Sequence, residues 1–388
     1  MIDRPGQSAF SIRPMIGASV LSFVLGSVHA FSVLILPAEA AIGSSRAAIS
    51  LIYSLATASL IVGVLVTPWL LDRARIARMA LLSGTMAAAG LALSAAGSYP
   101  ALLIGFGVIF GVSNGVGYAL SIRIAGLVPD RAGIAIGIVT AIYCGGAMAF
   151  SHFLSHFATP ETYAAGLLWL ALLMAIAGVI AASLLYSVRP PNEEPSRDMR
   201  GFQSGELRLV VRVWVVYFLG LVGGLIALGH AAAIVAATGA SQAAIAAGAV
   251  IVSAGSLFGS LVGGYLSDRV HPYRVLQSSL GCVMAAMILL WHSSGQTLTL
   301  VGLGVAGLAY GGLITVVPVL TRATFAASVA FRAFAYVFLA WGVAGFLGPW
   351  IAGFLFDATA RYGPSFLLGL ALAGVAMLLA RGLSRSSR

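Results

Sequence analysis

The chain has 388 residues, of which 60% are hydrophobic and 8% charged, with a formal net charge of +10 and a mean hydropathy of +1.03. Soluble domains carry about 25% charged residues, so this composition excludes a water-soluble globular protein and implies a lipid bilayer as solvent. The positive balance then reads as membrane orientation, not as nucleic-acid binding.

A bilayer core needs about 20 helical residues, and breaking the chain at its polar and Pro/Gly points predicts spans over 14–41, 46–70, 76–97, 99–126, 131–157, 163–188, 208–237, 242–266, 273–293, 297–321, 330–356 and 364–382. The runs are too long for barrel strands and lack period-two alternation, so helices must satisfy the backbone. Arg4 and Arg13 before the first run, and Ala38-Glu39-Ala40 near its end, loosely resemble a signal peptide. That run exceeds the 7–15 residues of such a segment and reads as the first span.

Between the sixth and seventh spans lies 189–206, beginning Arg189-Pro190-Pro191-Asn192. Proline and charge make it a linker, giving the division 1–188, 189–206 and 207–388. The two parts repeat. Gly43-Ser44-Ser45-Arg46-Ala47-Ala48-Ile49 recurs as Gly239-Ala240-Ser241-Gln242-Ala243-Ala244-Ile245, an offset of 196 positions (239 less 43), and Asp72-Arg73 recurs as Asp268-Arg269 at the same offset. With the N-terminus inside, only Arg46 and Arg361 among the arginines fall outside. The positive-inside rule therefore predicts a multi-pass protein of the cytoplasmic (inner) membrane with both termini and the linker cytoplasmic.

Several side chains stand out along the spans. His29 is the one titratable group near a midplane, in the first span, and intramembrane ionisable groups are functional candidates by default. Desolvation opposes an imidazolium and an arriving carboxylate favours it, so proton and anion are expected to bind together. The fourth span carries Gly107, Gly111 and Gly115, with Asn114 and Tyr118. The fifth carries Tyr143 and Cys144, the seventh His230, nearer the outer side, and the tenth Gly307, Tyr310 and Gly311. Glycines at every fourth position allow close helix approach. In the eleventh, Trp341 precedes Gly342, Gly345, Gly348 and Pro349, a predicted flexing point. Cys144 and Cys282 sit inside spans and imply neither a disulfide nor a redox site. Each side chain also has a plain structural reading: His29 hydrogen-bonded to a neighbouring helix, the aromatics as helix packing, and the arginines as interface anchors.

Gly264-Tyr265-Leu266-Ser267-Asp268-Arg269 with Arg274 resembles the loop motif of the major facilitator superfamily, and Asp72-Arg73 with Arg78 is a degraded first copy, with Pro68 where the second has Gly264. Gly26-Ser27-Val28-His29-Ala30-Phe31-Ser32, Val128-Pro129-Asp130-Arg131-Ala132-Gly133, Trp341 through Pro349, and Phe356-Asp357-Ala358 with Tyr362 are similar to the oxalate/formate antiporter and monocarboxylate transporter branch. The resemblance implies an all-α membrane protein with twelve transmembrane helices in two pseudo-symmetric six-helix bundles. It also implies that Asp72, Arg73, Arg78, Asp268, Arg269 and Arg274 gate the inner side through charge pairs. Oxalate-handling members carry an arginine in helix eight and a lysine in helix eleven, where this chain aligns Ser260 and Trp341. That departure speaks against a dianion. His29 replaces a tyrosine of the branch, and Tyr118 matches another.

The expected function is secondary transport of a small organic anion, a monocarboxylate, with a proton as coupling ion. Substrate contacts are expected from His29, Asn114, Tyr118, Tyr143, Tyr310 and Trp341, and proton coupling from His29 or His230. Anion exchange, proton-driven efflux of amphipathic compounds, and a non-transporting receptor or assembly factor on the same scaffold are the alternatives. Gly111-Val112-Ser113-Asn114-Gly115 matches the serine-hydrolase elbow pattern but lies in an apolar helix without the strand–turn–helix context. No Walker, HExxH, CxxC or dinucleotide motif occurs, so no enzyme activity, cofactor or metal is expected, although Cys144 with Met148 and the two histidines keeps soft-metal transport in view. A monomer is the expected state.

Overall fold

The computed structural model describes residues 12–71, 73–128, 132–188, 202–267, 269–325 and 327–383. Asp72, Asp268, Asp130, Arg131 and linker residues 189–201 lie outside these. Among the described residues, twelve helices are long and apolar enough to cross a membrane: α1 Ile12–Val33, α2 Arg46–Thr67, α3 Ile76–Ser94, α4 Tyr99–Ala125, α5 Ala135–Ser155, α6 Tyr163–Leu184, α7 Ser204–Ala236, α8 Gln242–Ser267, α9 Pro272–Trp291, α10 Gln296–Thr321, α11 Tyr336–Thr359 and α12 Gly363–Arg381. The protein is a multi-pass, all-helical membrane protein. An even number of antiparallel spans puts both described chain ends on one side, the terminus face. The α1–α2, α7–α8 and α11–α12 turns lie on the other, the loop face.

The repeated sequence signature is a turn. Gly43 and Gly239 take left-handed φ values of 69° and 70°, a conformation glycine adopts without a Cβ penalty. Two residues later, Ser45 and Ser241 each accept the third backbone N–H of the next helix, from Ala48 at 3.2 Å and Ala244 at 3.3 Å. Such N-caps satisfy donors that a helix start leaves orphaned. The glycine ridges repeat as well. A Cβ on Gly111 or Gly115 of α4 would strike the α2 carbonyls of Ala56 or Leu60, and one on Gly307 or Gly311 of α10 would strike the α8 carbonyls of Val252 or Ser256. Where lipid supplies no hydrophobic drive between helices, this close van der Waals contact holds them.

Two spans predicted as continuous α-helix change their hydrogen-bond register. α1 is α-helical over Ile12–Leu25, tightens to a 3₁₀ helix over Gly26–Val33, and is followed by an α-helix at Ile35–Ile42. At the junction the Asn114 amide donates to the Leu25 carbonyl at 2.6 Å, the acceptor that the His29 amide would take in an unbroken α-helix. α4 widens to a π-helix over Leu103–Phe110. In α11 the segment expected to flex is helical through Pro349 in this conformation. Gly342 and Gly345 also make room for Ile61 and Thr57 of α2.

Candidate functional site

The tightened segment of α1 carries His29 into the interface between the first and last six spans. The imidazole lies edge-on to four rings, with centroids 5.8 Å from Tyr143, 6.1 Å from Tyr53, 6.3 Å from Tyr310 and 6.4 Å from Trp341. His29, Tyr118, Tyr143, Tyr310 and Trp341 line one cavity, completed by Leu60, Thr140, Cys144, Ile314 and Phe338. Four spans predicted from sequence to contribute aromatics therefore converge on the histidine of a fifth.

His29 Nδ1 lies 2.7 Å from the Tyr53 hydroxyl of α2, while Nε2 has no protein hydrogen bond among the described residues. Trp341 donates its indole N–H to the Tyr310 hydroxyl at 2.9 Å, and Phe338 stacks parallel on Trp341 at 5.7 Å. The Tyr143 hydroxyl donates to Asn114 Oδ1 at 3.1 Å. Asn114 itself does not line the cavity. It is fully buried behind Tyr143, so an expected contact residue is instead the brace that ties the Tyr143 wall to the α1 junction.

Tyr118, Thr140, Ile314 and Phe338 are half-buried, whereas Asn114, Tyr143, Tyr310 and Trp341, one turn away on the same helices, are buried. In every case the half-buried residue is nearer the terminus face, so the more accessible part of the lining lies on that side of His29. Among the described residues, no carboxylate, ammonium or guanidinium lines the cavity. Ser260 directs its hydroxyl to the Gly311 carbonyl at 3.4 Å and does not line the cavity.

The sequence motifs mark the ends of the second span and not Tyr53. The available signal was the polar stripe Ser50, Tyr53 and Thr57 at helical spacing, all of it buried. Both cysteines are free thiols, and Cys144 Sγ approaches Ser256 Oγ at 3.6 Å across the two sets of spans. His230 is fully buried near the loop face, 3.0 Å from the Tyr362 hydroxyl. Arg73 and Arg269 are exposed and lie over the rings of Trp69 and Tyr265 at 4.1 and 3.9 Å. The carboxylates expected beside them are outside the described residues. Ser113, centre of the apparent hydrolase pattern, is an ordinary buried helix residue bonded to the Ile109 carbonyl. Among the described residues no three metal-ligating side chains gather.

Twelve membrane helices in two repeated sets around a central cavity define the major facilitator fold, a scaffold of secondary transporters that move solutes by alternating access. No family model matches the chain. It is similar to an uncharacterized MFS-type transporter of Escherichia coli (strain K12), YhjX, with 24% identity over 341 residues that cover 85% of this chain and 84% of that protein. Among solved structures it resembles a bacterial homologue of the human lysosomal transporter Spinster in an inward-facing and occupied conformation. That likeness has a TM-score of 0.73 at 17% identity and covers 99% and 98% of the two chains. It also resembles a D-xylose–proton symporter, with a TM-score of 0.75 at 15% identity over 95% and 97%. The structural likenesses show the fold, and the sequence likeness is to an MFS-type transporter.

Proposed function

We propose that the protein moves a small monocarboxylate by alternating access, together with a proton carried on His29. The observation that supports this most is the one basic side chain that lines the cavity among the described residues, an imidazole whose Nε2 has no partner among them, set among aromatic and aliphatic walls. A carboxylate would take the imidazolium, and a short apolar body would lie against Tyr143, Tyr310 and Trp341. A second carboxylate would find no counter-charge, because Ser260 and Trp341 stand where the resembled oxalate-handling members carry cations. Carrying one negative charge inward against a negative-inside potential costs about 2.3 kcal/mol per 100 mV, and one accompanying proton cancels that cost. Anion exchange is the second choice of coupling.

In this reading both termini are cytoplasmic, and Asp72, Arg73 and Arg78 with Asp268, Arg269 and Arg274 close the terminus face when the loop face opens. The aromatic wall supports one rival, proton-driven efflux of amphipathic compounds. Uptake of labelled C2–C4 monocarboxylates into proteoliposomes, with and without a proton gradient, is the test. Saturable counterflow that an inward proton gradient accelerates is expected, with loss in His29→Phe. Extrusion of amphipathic dyes without any monocarboxylate counterflow would favour the rival instead.

A further inference from the structure

The loop face is closed by a chain of hydrogen bonds that crosses from one set of spans to the other. Arg46, the first residue of α2, is 8% exposed and pairs through Nε with Glu39 on its own side. Its Nη1 donates to the Tyr362 hydroxyl, 316 positions along the chain, at 2.7 Å. The Asp357 carboxylate, from the end of α11, accepts the backbone N–H groups of Arg46 at 3.1 Å and Ala47 at 2.8 Å. It thus caps the positive end of α2 from the opposite half. The repeat places Gln242 where Arg46 stands, and Gln242 is exposed, so only one of the two symmetry-related turns carries this device.

The direction of each bond follows from its chemistry. His230 Nε2 is 2.8 Å from the Pro349 carbonyl, which can only accept, so Nε2 bears the hydrogen. Nδ1 of the neutral ring is then an acceptor for the Tyr362 hydroxyl at 3.0 Å. That hydroxyl is in turn the acceptor for Arg46, which can only donate. Burial pushes the Tyr362 phenol up from its ordinary range, so it keeps the proton it donates. A second proton on His230 reverses this: Nδ1–H and the phenol hydrogen would point at each other, and a second cation would stand one hydroxyl away from Arg46. The titratable and charged groups around His230 are Tyr362, Arg46, Asp357 and Glu39, with Tyr53 touching the neighbouring Gly229. Tyr53 is also the partner of His29, so one side chain joins the cavity to this cluster.

We infer that Arg46, Asp357, Tyr362 and His230 form the latch that closes the loop face, and that a proton reaching His230 releases it. Opening leaves Arg46 and Glu39 on one half and carries Asp357, Tyr362 and His230 away on the other. The inference rests on alternating access, not on the choice of substrate.

Spin labels on Ala41→Cys and Ala358→Cys, both exposed on the loop face, report the opening by pulsed distance measurement, with Cys144→Ser and Cys282→Ala as background. One short distance is expected at pH 8. The open-to-closed ratio should rise as pH falls toward 5, by up to about tenfold per unit for a single linked proton. Tyr362→Phe should open the loop face at every pH. His230→Gln, whose amide can both donate to Pro349 and accept from Tyr362, should stay closed and lose the pH response. A parent ratio that does not change between pH 5 and 8, a pH response that survives in His230→Gln, or a Tyr362→Phe ratio equal to the parent's would each overturn the latch. A second labelled pair across the terminus face, Arg75→Cys and Val270→Cys, separates the two levels. If that pair moves while the loop-face pair ignores the latch variants, the latch alone fails; if neither pair ever moves, alternating access fails with it.

Discussion

The bond between His29 and Tyr53 makes a quantitative claim about two different properties of the protein. His29→Phe removes the only basic group that lines the cavity among the described residues and also strands the Tyr53 hydroxyl, which is fully buried and has no other partner among them. A buried polar group left unpaired costs about 1–3 kcal/mol. Interhelical hydrogen bonds in membranes measure nearer 0.6 kcal/mol on average and about 1.7 at most, because the unfolded chain in lipid finds other partners. The lower range governs here, so each single variant, His29→Phe or Tyr53→Phe, should lose about 0.6–1.7 kcal/mol of stability. The double variant should recover most of that loss, since neither polar group remains. Binding should behave differently. A charge-assisted bond to the substrate is worth about 1.5–3 kcal/mol, roughly a 10- to 150-fold change in Kd. His29→Phe and the double variant should both show it, while Tyr53→Phe shows little. Thermal unfolding in detergent and equilibrium binding across pH 5 to 8 read the two properties on the same four proteins. The parent's affinity should strengthen as pH falls, because the bound anion recruits a proton to His29, and His29→Phe should flatten that profile. Strictly additive stability losses, or equal binding losses in Tyr53→Phe and His29→Phe, would refute the proposed division of roles.

Gly146→Ala should destabilise the protein by about 1–3 kcal/mol through overpacking, because a Cβ there falls on the Phe23 carbonyl of α1; an unchanged midpoint on thermal unfolding would mean that α1 and α5 part at no cost. Asn114→Leu should free the Leu25 carbonyl and unbrace Tyr143, so backbone hydrogen exchange over 26–33 should rise and transport fall. Protection equal to the parent's would show that the 3₁₀ segment holds itself. Reporter fusions at residue 200 are expected on the cytoplasmic side, and a periplasmic signal there would invert the orientation drawn from the arginines.

Much of the architecture was legible before any coordinate, because lipid leaves a chain few choices. Backbone groups in hydrocarbon must bond within their own helix, so apolar run length alone marks the spans. The Gly43 and Gly239 turns and the glycine ridges of α4 and α10 announce themselves by repeating. The convergence of Tyr118, Tyr143, Tyr310 and Trp341 on His29 was also readable, since a large polar aromatic or a base at mid-depth has few reasons to be there except facing inward. Hydrophobic pattern is blind, however, to hydrogen-bond register. It read α1 as one helix, while a side chain 89 positions away, Asn114, takes the Leu25 carbonyl and tightens the turn that presents His29. Pairing between distant segments was equally out of reach. Asp357 caps a helix 311 positions earlier, and Tyr53 reaches His29 from the middle of the second span. Such contacts depend on how two sets of helices meet in space, and only the tertiary structure decides that.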